Sequence, residues 1–361
     1  MIKSFKVILI NFLIFFLTIV FLEIIFGDWF KKNNWGNSLR SERLKKITYN
    51  VKFNNQKYKH IYKKNSLGFR GKEVEPKKLK YLMMGGSTVN ERFTPEELTI
   101  VGNLNRLLLE DKNKIEIFNG GVDGQSTIGL INNFEKWFLN IENFKPEFII
   151  YYIGVNERFY FDFDPNPKDL FNGEFETIHA FDKMMKISRI DQLNDFIKNN
   201  SFFLKKGKTI QLKYFPGKMR KEDYSKFKAT YDLEHGVSDN FYTQTNMDKI
   251  FKIDSLNHKN KIFVVSLKKR IEHLTLLTSK IGAQPIFINQ VLNDGQLSKK
   301  MYLTNYIIRE HCLENNLKFI DLAKDIILDK HDFYDEFHTT PSGSKKIAEY
   351  IYPHLKNYLE L

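Results

Sequence analysis

Cysteine is nearly absent from this chain of 361 residues, in which Cys312 stands alone. A single cysteine excludes an intramolecular disulfide, and therefore a small fold held together by disulfides. It lies in an apolar-periodic stretch from Tyr302 to Leu317, where a free cysteine is usually a small buried side chain rather than a nucleophile. We therefore expect Cys312 in the core.

Signatures of nucleotide and nucleic-acid binding are absent as well. No Gly-x-Gly-x-x-Gly fingerprint occurs, and no glycine-rich loop ends in the Lys-Ser/Thr pair of a P-loop. The formal net charge is +13, but the positive residues form short scattered runs without an RNA-recognition signature or zinc-finger spacing. Solvated surface lysines are the favoured interpretation, and no nucleic-acid partner is predicted; attraction to an acidic membrane or a polyanionic glycan stays open.

Aromatic residues, in contrast, are abundant. They make up 15% of the chain, with 33 Phe and 17 Tyr, which excludes a disordered chain. A hydrophobic content of 42% is enough for a substantial core. The length suits one large domain with additions, or two smaller domains.

The longest apolar run covers residues 7–26. At about 1.5 Å per residue, a helix of this length crosses a hydrocarbon core of about 30 Å. The run is longer than the apolar part of a signal peptide and is not followed by a small-residue cleavage pattern. It predicts a retained membrane anchor in residues 1–30, with Glu23 as a tolerated charge that reaches the interface.

Two arguments about membrane orientation disagree. Only Lys3 and Lys6 precede the apolar run, and counting basic residues places the bulk of the chain in the cytoplasm. The family resemblance described below implies the opposite, extracytoplasmic (periplasmic) side. The basic residues that follow the run are Lys31, Lys32, Arg40, Arg43, Lys45 and Lys46.

Beyond the anchor, the hydrophobic pattern changes twice. Residues 31–78 are rich in Lys and Asn and poor in periodic apolar positions, which predicts a linker or loose cap. From residue 79 onward, short apolar runs alternate with helical patterns such as Leu98–Leu109 and Phe263–Ile281, which predicts βαβ units and a parallel sheet covered on both faces. The predicted strands are Tyr81–Met84, Ile115–Phe118, Phe148–Ile153, Pro285–Ile288 and Phe319–Ile320.

Two helix starts are marked by threonine and proline. Thr94, Pro95 and Glu97 predict a capping box, and Thr340-Pro341 predicts the start of the last helix. The alternation is interrupted by residues 158–258, which contain aromatic clusters and a Pro165–Pro167 segment. A hundred residues are too many for a loop, so they predict an inserted subdomain, with a lid as one role for it.

Three segments follow the first three predicted strands, at the sheet edge where open α/β sheets bind ligands. Gly-Gly-Ser ends at Ser87 and presents that side chain on a sharp turn, although it is also an ordinary turn sequence. The glycine-rich segment 119–126, which includes Gly124, offers backbone N–H groups to an oxyanion, or is only a strand-to-helix turn. Asn156 offers its amide to the same oxyanion, or is only a turn asparagine.

A fourth segment precedes the last helix and contains Asp335 and His338. Three positions apart on a tight loop, the carboxylate can accept from one ring nitrogen while the other takes a proton from Ser87. A histidine without partners is more often structural, and the partner at position 335 sets His338 apart. The nearby His331 lacks the helical spacing of a zinc site, so no metal is predicted.

In this chain order, the four segments resemble the blocks of the SGNH (GDSL-like) hydrolase family, which contribute Ser, Gly, Asn and His. Residues 65–71, Asn-Ser-Leu-Gly-Phe-Arg-Gly, are also similar to a segment that precedes the first block in membrane-anchored bacterial members. The first block reads Gly-Gly-Ser instead of Gly-Asp-Ser, and the third reads Val-Asn-Glu where Asn-Asp is commoner. The blocks span residues 80–354, with 158–258 unmatched.

The resemblance implies an α/β fold with three α/β/α layers and a five-stranded parallel, flavodoxin-like sheet in residues 79–361. It implies a membrane-anchored serine esterase, or an acyltransferase, that needs no metal or organic cofactor. Membrane-anchored relatives imply an acyl ester, chiefly O-acetyl, on a cell-envelope carbohydrate. The alternative from a different class is a non-catalytic, membrane-tethered glycan-binding or scaffold protein.

The resemblance also assigns roles to the residues of the four blocks. Ser87 corresponds to the nucleophile of a Ser-His-Asp triad, and His338 and Asp335 correspond to its base and its acid. The oxyanion donors correspond to the N–H of Ser87, the N–H of Gly124 and the amide of Asn156.

Overall fold

The architecture is known from a computed structural model. It describes residues 2–27, 29–30, 43, 45–53, 56–161, 193, 197, 200–204, 206–207, 210, 221–222, 243–291 and 298–359. Most of the predicted insertion 158–258, including Pro165–Pro167, lies outside these residues. The strands are β1 (Lys46–Phe53), β2 (Gln56–Lys63), β3 (Tyr81–Gly85), β4 (Ile117–Asn119), β5 (Phe148–Tyr152), β6 (Lys221–Glu222), β7 (Gln284–Ile288) and β8 (Lys318–Ile320). The α-helices are α1 (Ile2–Phe26), α2 (Ser87–Asn90), α3 (Ile100–Glu110), α4 (Thr127–Lys136), α5 (Gln244–Asp248), α6 (Ile253–Lys259), α7 (Lys261–Lys280), α8 (Lys299–Glu314) and α9 (Pro341–Tyr358).

Five of the strands form one parallel sheet in the order β4-β3-β5-β7-β8. Each of them overlaps one of the five predicted strands, and their order along the sheet is that of a flavodoxin-like fold. The predicted five-stranded parallel sheet is therefore confirmed. Because all five strands point the same way, the loops that follow them meet at one edge.

Helices cover both faces of this sheet, as the near-continuous apolar strands require. On β3, Leu82 and Met84 face a core formed with α4, α7 and α8, whereas Met83 faces a second core formed with α3 and α9. The alternation follows from the two-residue period of a strand. Cys312 of α8 is fully buried in the first core, as expected, and this burial raises the pKa of its thiol.

The two predicted helix starts have different outcomes. Thr340 caps α9 by accepting a hydrogen bond from Gly343 N, with Pro341 at the first helical position, as predicted. The capping box at Thr94 is wrong, because a short 3₁₀ helix (Glu96–Leu98) intervenes and α3 is capped by Thr99 instead. The hydroxyl of Thr99 accepts from Gly102 N at 2.9 Å.

An antiparallel β-hairpin occupies residues 46–63, within the range where we expected a linker or loose cap. The hairpin consists of β1 and β2, and the two-residue β6 pairs with the other side of β1. Alternate residues of β1, from Ile47 to Phe53, are buried, and they pack against Phe93 and Tyr334 of the main domain. The strand period was obscured in the sequence by the lysines and asparagines at its outward positions.

The helix α1 contains a stretch, Phe5–Phe26, that is long and apolar enough to cross a membrane, with a mean hydropathy of 2.8. A signal sequence passes the same test. Glu23 lies near its end, where we expected it to reach the interface. Its carboxylate accepts hydrogen bonds from the protein, two of them from the backbone N–H groups of a short helical segment, residues 202–204. The donors are Trp29 Nε1, Ser201 Oγ, Phe202 N and Phe203 N.

Candidate functional site

The structure brings all four predicted segments together at the carboxyl edge of the sheet. Ser87 follows β3 at the first position of α2, with Gly86 as the preceding cap residue. The segment with Gly124 follows β4, and Asn156 follows β5. The loop before α9 returns to the same edge and carries His338.

The side chains of Ser87, His338 and Asp335 form a continuous hydrogen-bonded chain. His338 Nε2 lies 2.7 Å from Ser87 Oγ, and His338 Nδ1 lies 2.6 Å from Asp335 Oδ2. Because an ionised carboxylate only accepts, Nδ1 carries the ring hydrogen and Nε2 is left to accept from the serine hydroxyl. This is the geometry in which a histidine removes a proton from a serine.

Asp335 is held in place by its own loop. Its second oxygen, Oδ1, accepts from the backbone N–H groups of Phe337 at 3.0 Å and His338 at 2.7 Å. These two bonds close a tight turn and leave Oδ2 for the imidazole. The carboxylate thus has one oxygen for the loop and one for the ring.

The imidazole of His338 contacts two aromatic rings. Tyr334 stacks on it at 5.4 Å between ring centroids with an interplanar angle of 6°, and Phe337 lies at 4.3 Å. Tyr334 in turn contacts Phe53 of the hairpin at 5.3 Å. The hairpin therefore supports one wall of the histidine's position, which was not foreseen from its sequence.

The amide of Asn156 lies between the two other segments of the predicted oxyanion site. Its Nδ2 donates to Gln125 O at 2.8 Å, and a Cβ placed on Gly86 would stand 2.3 Å from the same nitrogen. Gly124 has a φ of +75°, a conformation that favours glycine. Among the described residues, no acceptor takes the N–H of Ser87 or of Gly124.

Gln290, which no sequence motif marks, joins two of these segments. Its Oε1 accepts from Val155 N at 2.7 Å, and its Nε2 donates to Thr88 Oγ1 at 2.7 Å. Val155 precedes Asn156 and Thr88 follows the serine, so one buried amide sets the spacing of both turns. It lies beyond the end of β7, and only its contacts distinguish it from any other buried glutamine.

Residues 65–71 pack beneath the turn that follows α2. The guanidinium of Arg70 is buried and donates to the carbonyl oxygens of Asn90 at 2.5 Å, Glu91 at 2.8 Å and Thr94 at 2.5 Å. Gly68, with a φ of +93°, lies against the ring of Trp137. This segment thus holds the backbone on the far side of the serine's helix.

Glu91 ends α2 in a left-handed conformation, with a φ of +43°, and its carboxyl group is buried. It accepts from Ile100 N at 2.7 Å and from the hydroxyl of Ser344, and Thr339 Oγ1 lies 3.5 Å away. Burial raises the pKa of Glu91 to about 7, although these hydrogen bonds and the charge of Arg70 oppose the shift. Glu91 therefore links the serine's helix to the residue that follows His338.

Charged side chains line the rim of the site. Arg158 lies over the ring of Phe337 at 5.0 Å and forms a 3.2 Å ion pair with Glu336. A second pair joins Asp123, in the segment that carries Gly124, to Arg92 at 3.1 Å. Two of the four segments are thus accompanied by an arginine that forms an ion pair.

Comparisons with known proteins find distant structural likeness. No family model and no curated protein matches the chain. A lipolytic protein of the G-D-S-L family from Veillonella parvula aligns at 12% identity over 78% of this chain and 99% of its own, with a TM-score of 0.40. An acetylxylan esterase from Geobacillus stearothermophilus aligns at 12% identity over 76% of this chain and 93% of its own, also with a TM-score of 0.40. Because the identities and TM-scores are this low, any argument about function depends on the geometry of the site itself.

A methyl group at position 86 tests the arrangement of the Asn156 amide. We expect Gly86→Ala to fold, because its backbone (φ −83°) suits any residue, but to displace the amide that lies 2.3 Å from the new Cβ. Loss of one oxyanion donor slows acyl transfer by on the order of 10²-fold. The turnover of an activated acetyl ester measures this loss, and Gly207→Ala, where a Cβ meets nothing within 4 Å, is the control. Equal turnover in the two variants would contradict the expected role of Asn156.

The raised pKa of Glu91 predicts a pH-dependent stability. The folded protein binds this proton more tightly than the unfolded chain, so the contribution of Glu91 to stability is complete below pH 4.5 and is lost as the pH rises through about 7. A shift of this size corresponds to about 3 kcal/mol. Gln mimics the protonated acid, donating to Ser344 Oγ and accepting from Ile100 N.

Urea unfolding at pH 5 and pH 8 measures the effect. We expect Glu91→Gln to gain about 2.5 kcal/mol relative to the wild type between these two pH values, because part of the effect is already lost at pH 5. The exposed Glu110→Gln controls for the loss of one carboxyl group. If the difference in the free energy of unfolding between Glu91→Gln and wild type is the same at both pH values, the pKa of Glu91 is not raised.

Proposed function

We propose that this protein is a serine esterase of the SGNH type, in which Ser87 is the nucleophile, His338 the base and Asp335 the orienting acid. The observation that carries the proposal is the hydrogen-bonded chain of 2.7 Å and 2.6 Å through both ring nitrogens of His338. Ser87 is half-buried at a sheet edge, so a substrate reaches its hydroxyl. A scaffold protein has no need of this hydrogen-bonded arrangement of Ser87, His338 and Asp335.

The proposed reaction begins when His338 Nε2 takes the hydroxyl proton of Ser87 and Oγ attacks the ester carbonyl carbon. The negative charge moves to the carbonyl oxygen, and the imidazolium is stabilised by Asp335. The imidazolium then protonates the departing alkoxide, which leaves an acyl-serine. A water molecule then gives a proton to the same nitrogen and attacks the acyl carbon. As the bond between that carbon and Ser87 Oγ breaks, the imidazolium returns the proton to Oγ, which releases the carboxylic acid and restores the serine.

The developing oxyanion would bind the N–H of Ser87, the N–H of Gly124 and the amide of Asn156. Three features support this assignment: the two backbone donors have no acceptor among the described residues, Asn156 lies against Gly86, and the serine N–H stands at the beginning of a helix. Each donor of this kind lowers the activation free energy by about 2.7–4 kcal/mol in known enzymes.

For the substrate we propose an acyl ester, chiefly O-acetyl, on a carbohydrate of the cell envelope. The apolar helix α1 would hold the enzyme next to such a polymer. We propose hydrolysis, with water as the acceptor; acetate release that requires an added sugar would instead indicate acyl transfer.

Labelling with a fluorophosphonate probe tests the nucleophile. We expect the detergent-solubilised wild type to be labelled at Ser87, and Ser87→Ala and His338→Ala to lose labelling, because only an activated serine reacts. Ser279→Ala and His354→Ala change exposed residues of the same types and should label fully. Mass spectrometry identifies the modified residue, and the same preparations are then assayed for acetate release from acetylated polysaccharides. A folded wild type that remains unlabelled would contradict the esterase proposal and favour a non-catalytic glycan-binding protein.

We also propose that the domain lies on the extracytoplasmic side, where its substrate is. The basic residues that follow α1 favour the opposite orientation. The two orientations can be distinguished with a reporter enzyme. Alkaline phosphatase fused to the carboxyl terminus should be active in the proposed orientation, because this reporter requires an oxidising compartment to form its disulfides. An inactive but expressed fusion would place the domain in the cytoplasm.

A further inference from the structure

The residue after Asn156 is a buried carboxylate, Glu157. It forms an ion pair with Arg270 of α7 at 3.0 Å, and both side chains are only 1% exposed. Val-Asn-Glu was one of the departures from the family pattern, and the longer side chain reaches from this turn to α7. Burying two charges in this way costs solvation energy on both sides, so such a pair is a weak source of stability.

Thr127 closes the pair into a triangle. Its N–H donates to Glu157 Oε1 at 2.6 Å, and its hydroxyl donates to Glu157 Oε2 at 2.9 Å. The same hydroxyl accepts from Arg270 Nε at 2.7 Å. Both carboxylate oxygens are therefore occupied, and the three side chains fix one another's positions.

The triangle joins the two segments that carry proposed oxyanion donors. Glu157 belongs to the 3₁₀ turn that carries Asn156, and Thr127 is the first residue of α4, three positions after Gly124. Between them, the Asn156 amide donates to Gln125 O. A shift of Glu157 relative to Thr127 would thus change the distance between the two donors.

We propose that Glu157 and Arg270 are positioning residues, which set the separation between the Gly124 N–H and the Asn156 amide. The inference rests on the proposed function, because it assigns the pair to the oxyanion site of that reaction. Oxyanion donors act at 2.7–3.1 Å from the developing charge, and sites of this kind tolerate misplacement of only about 0.5 Å. Arg270 connects this turn to a twenty-residue helix, which supplies the rigidity.

A second buried contact made by α7 provides a matched control. Tyr151 of β5 and Thr278 of α7 are both buried, and their hydroxyl groups lie 2.6 Å apart. This contact ties the strand β5 to α7, whereas Glu157 and Arg270 tie the turn that carries Asn156 to the same helix. Tyr151→Phe therefore perturbs the same interface without reaching the oxyanion donors.

The test compares Glu157→Gln with Tyr151→Phe and wild type on an activated acetyl ester, with the active sites counted by fluorophosphonate labelling. Gln has only one carbonyl oxygen and cannot accept from both Thr127 N and Arg270. We therefore expect the distance between the two proposed oxyanion donors, the Gly124 N–H and the Asn156 amide, to increase. We expect kcat per labelled site to fall by about 10- to 100-fold in Glu157→Gln while KM changes less than about twofold. Tyr151→Phe should keep the wild-type kcat.

The inhibition constant of a boronic acid measures the oxyanion site separately. The boronic acid forms a tetrahedral adduct with the serine, and one oxygen of this adduct lies among the proposed oxyanion donors. Its inhibition constant should rise in Glu157→Gln by the factor by which kcat/KM falls. If Glu157→Gln does not fold, the double variant Glu157→Met with Arg270→Met removes both charges together and should fold with the same reduced kcat.

The outcomes separate two failures. An active wild type with an unchanged kcat in Glu157→Gln, or in the double variant, overturns the inference alone, as does an equal loss in Tyr151→Phe. A wild type that neither labels nor turns over ester overturns the proposed function, and the inference falls with it.

Discussion

The 2.7 Å contact between Ser87 and His338 joins residues 251 positions apart, and the site exists only if the chain returns accurately to one place. The return depends on a single constraint, that five parallel strands end at the same edge of the sheet. Helices on both faces carry the chain back to the start of each strand. The loops at the carboxyl edge then add the polar groups, with Asp335 and His338 on one loop and Ser87 and Asn156 on two others, and no loop makes the site alone.

Packing around this edge restricts the side chains of the candidate site. The hairpin places Phe53 against Tyr334, and Tyr334 stacks on the imidazole of His338. On the other side, Arg70 binds three carbonyl oxygens of the turn that follows α2. Aromatic contacts restrict the histidine and hydrogen bonds restrict the serine's helix, so the two partners approach each other from fixed supports.

Two buried carboxyl groups flank the site and have different surroundings. Glu157 faces the guanidinium of Arg270 at 3.0 Å, so its charge is paired directly. The carboxyl group of Glu91 receives hydrogen bonds but forms no ion pair among the described residues, and burial raises its pKa to about 7. Glu157 thus links two turns through an ion pair. Glu91 links the serine's helix to the histidine loop through hydrogen bonds, and its raised pKa allows it to keep a proton up to about neutral pH.

Sequence patterns by themselves determined the five core strands and their parallel arrangement, because the strand period and the glycine turns are local, and the resemblance in block order indicated the four segments that meet at the carboxyl edge. They failed at Thr94, where a 3₁₀ helix precedes α3, and over residues 46–63, where outward lysines hide a strand period. Only the tertiary structure decided which nitrogen of His338 faces Ser87, and that Gln290 and Arg270 brace the turn around Asn156. These contacts join residues more than a hundred positions apart, and no spacing along the chain specifies distances that depend on how whole helices and strands pack.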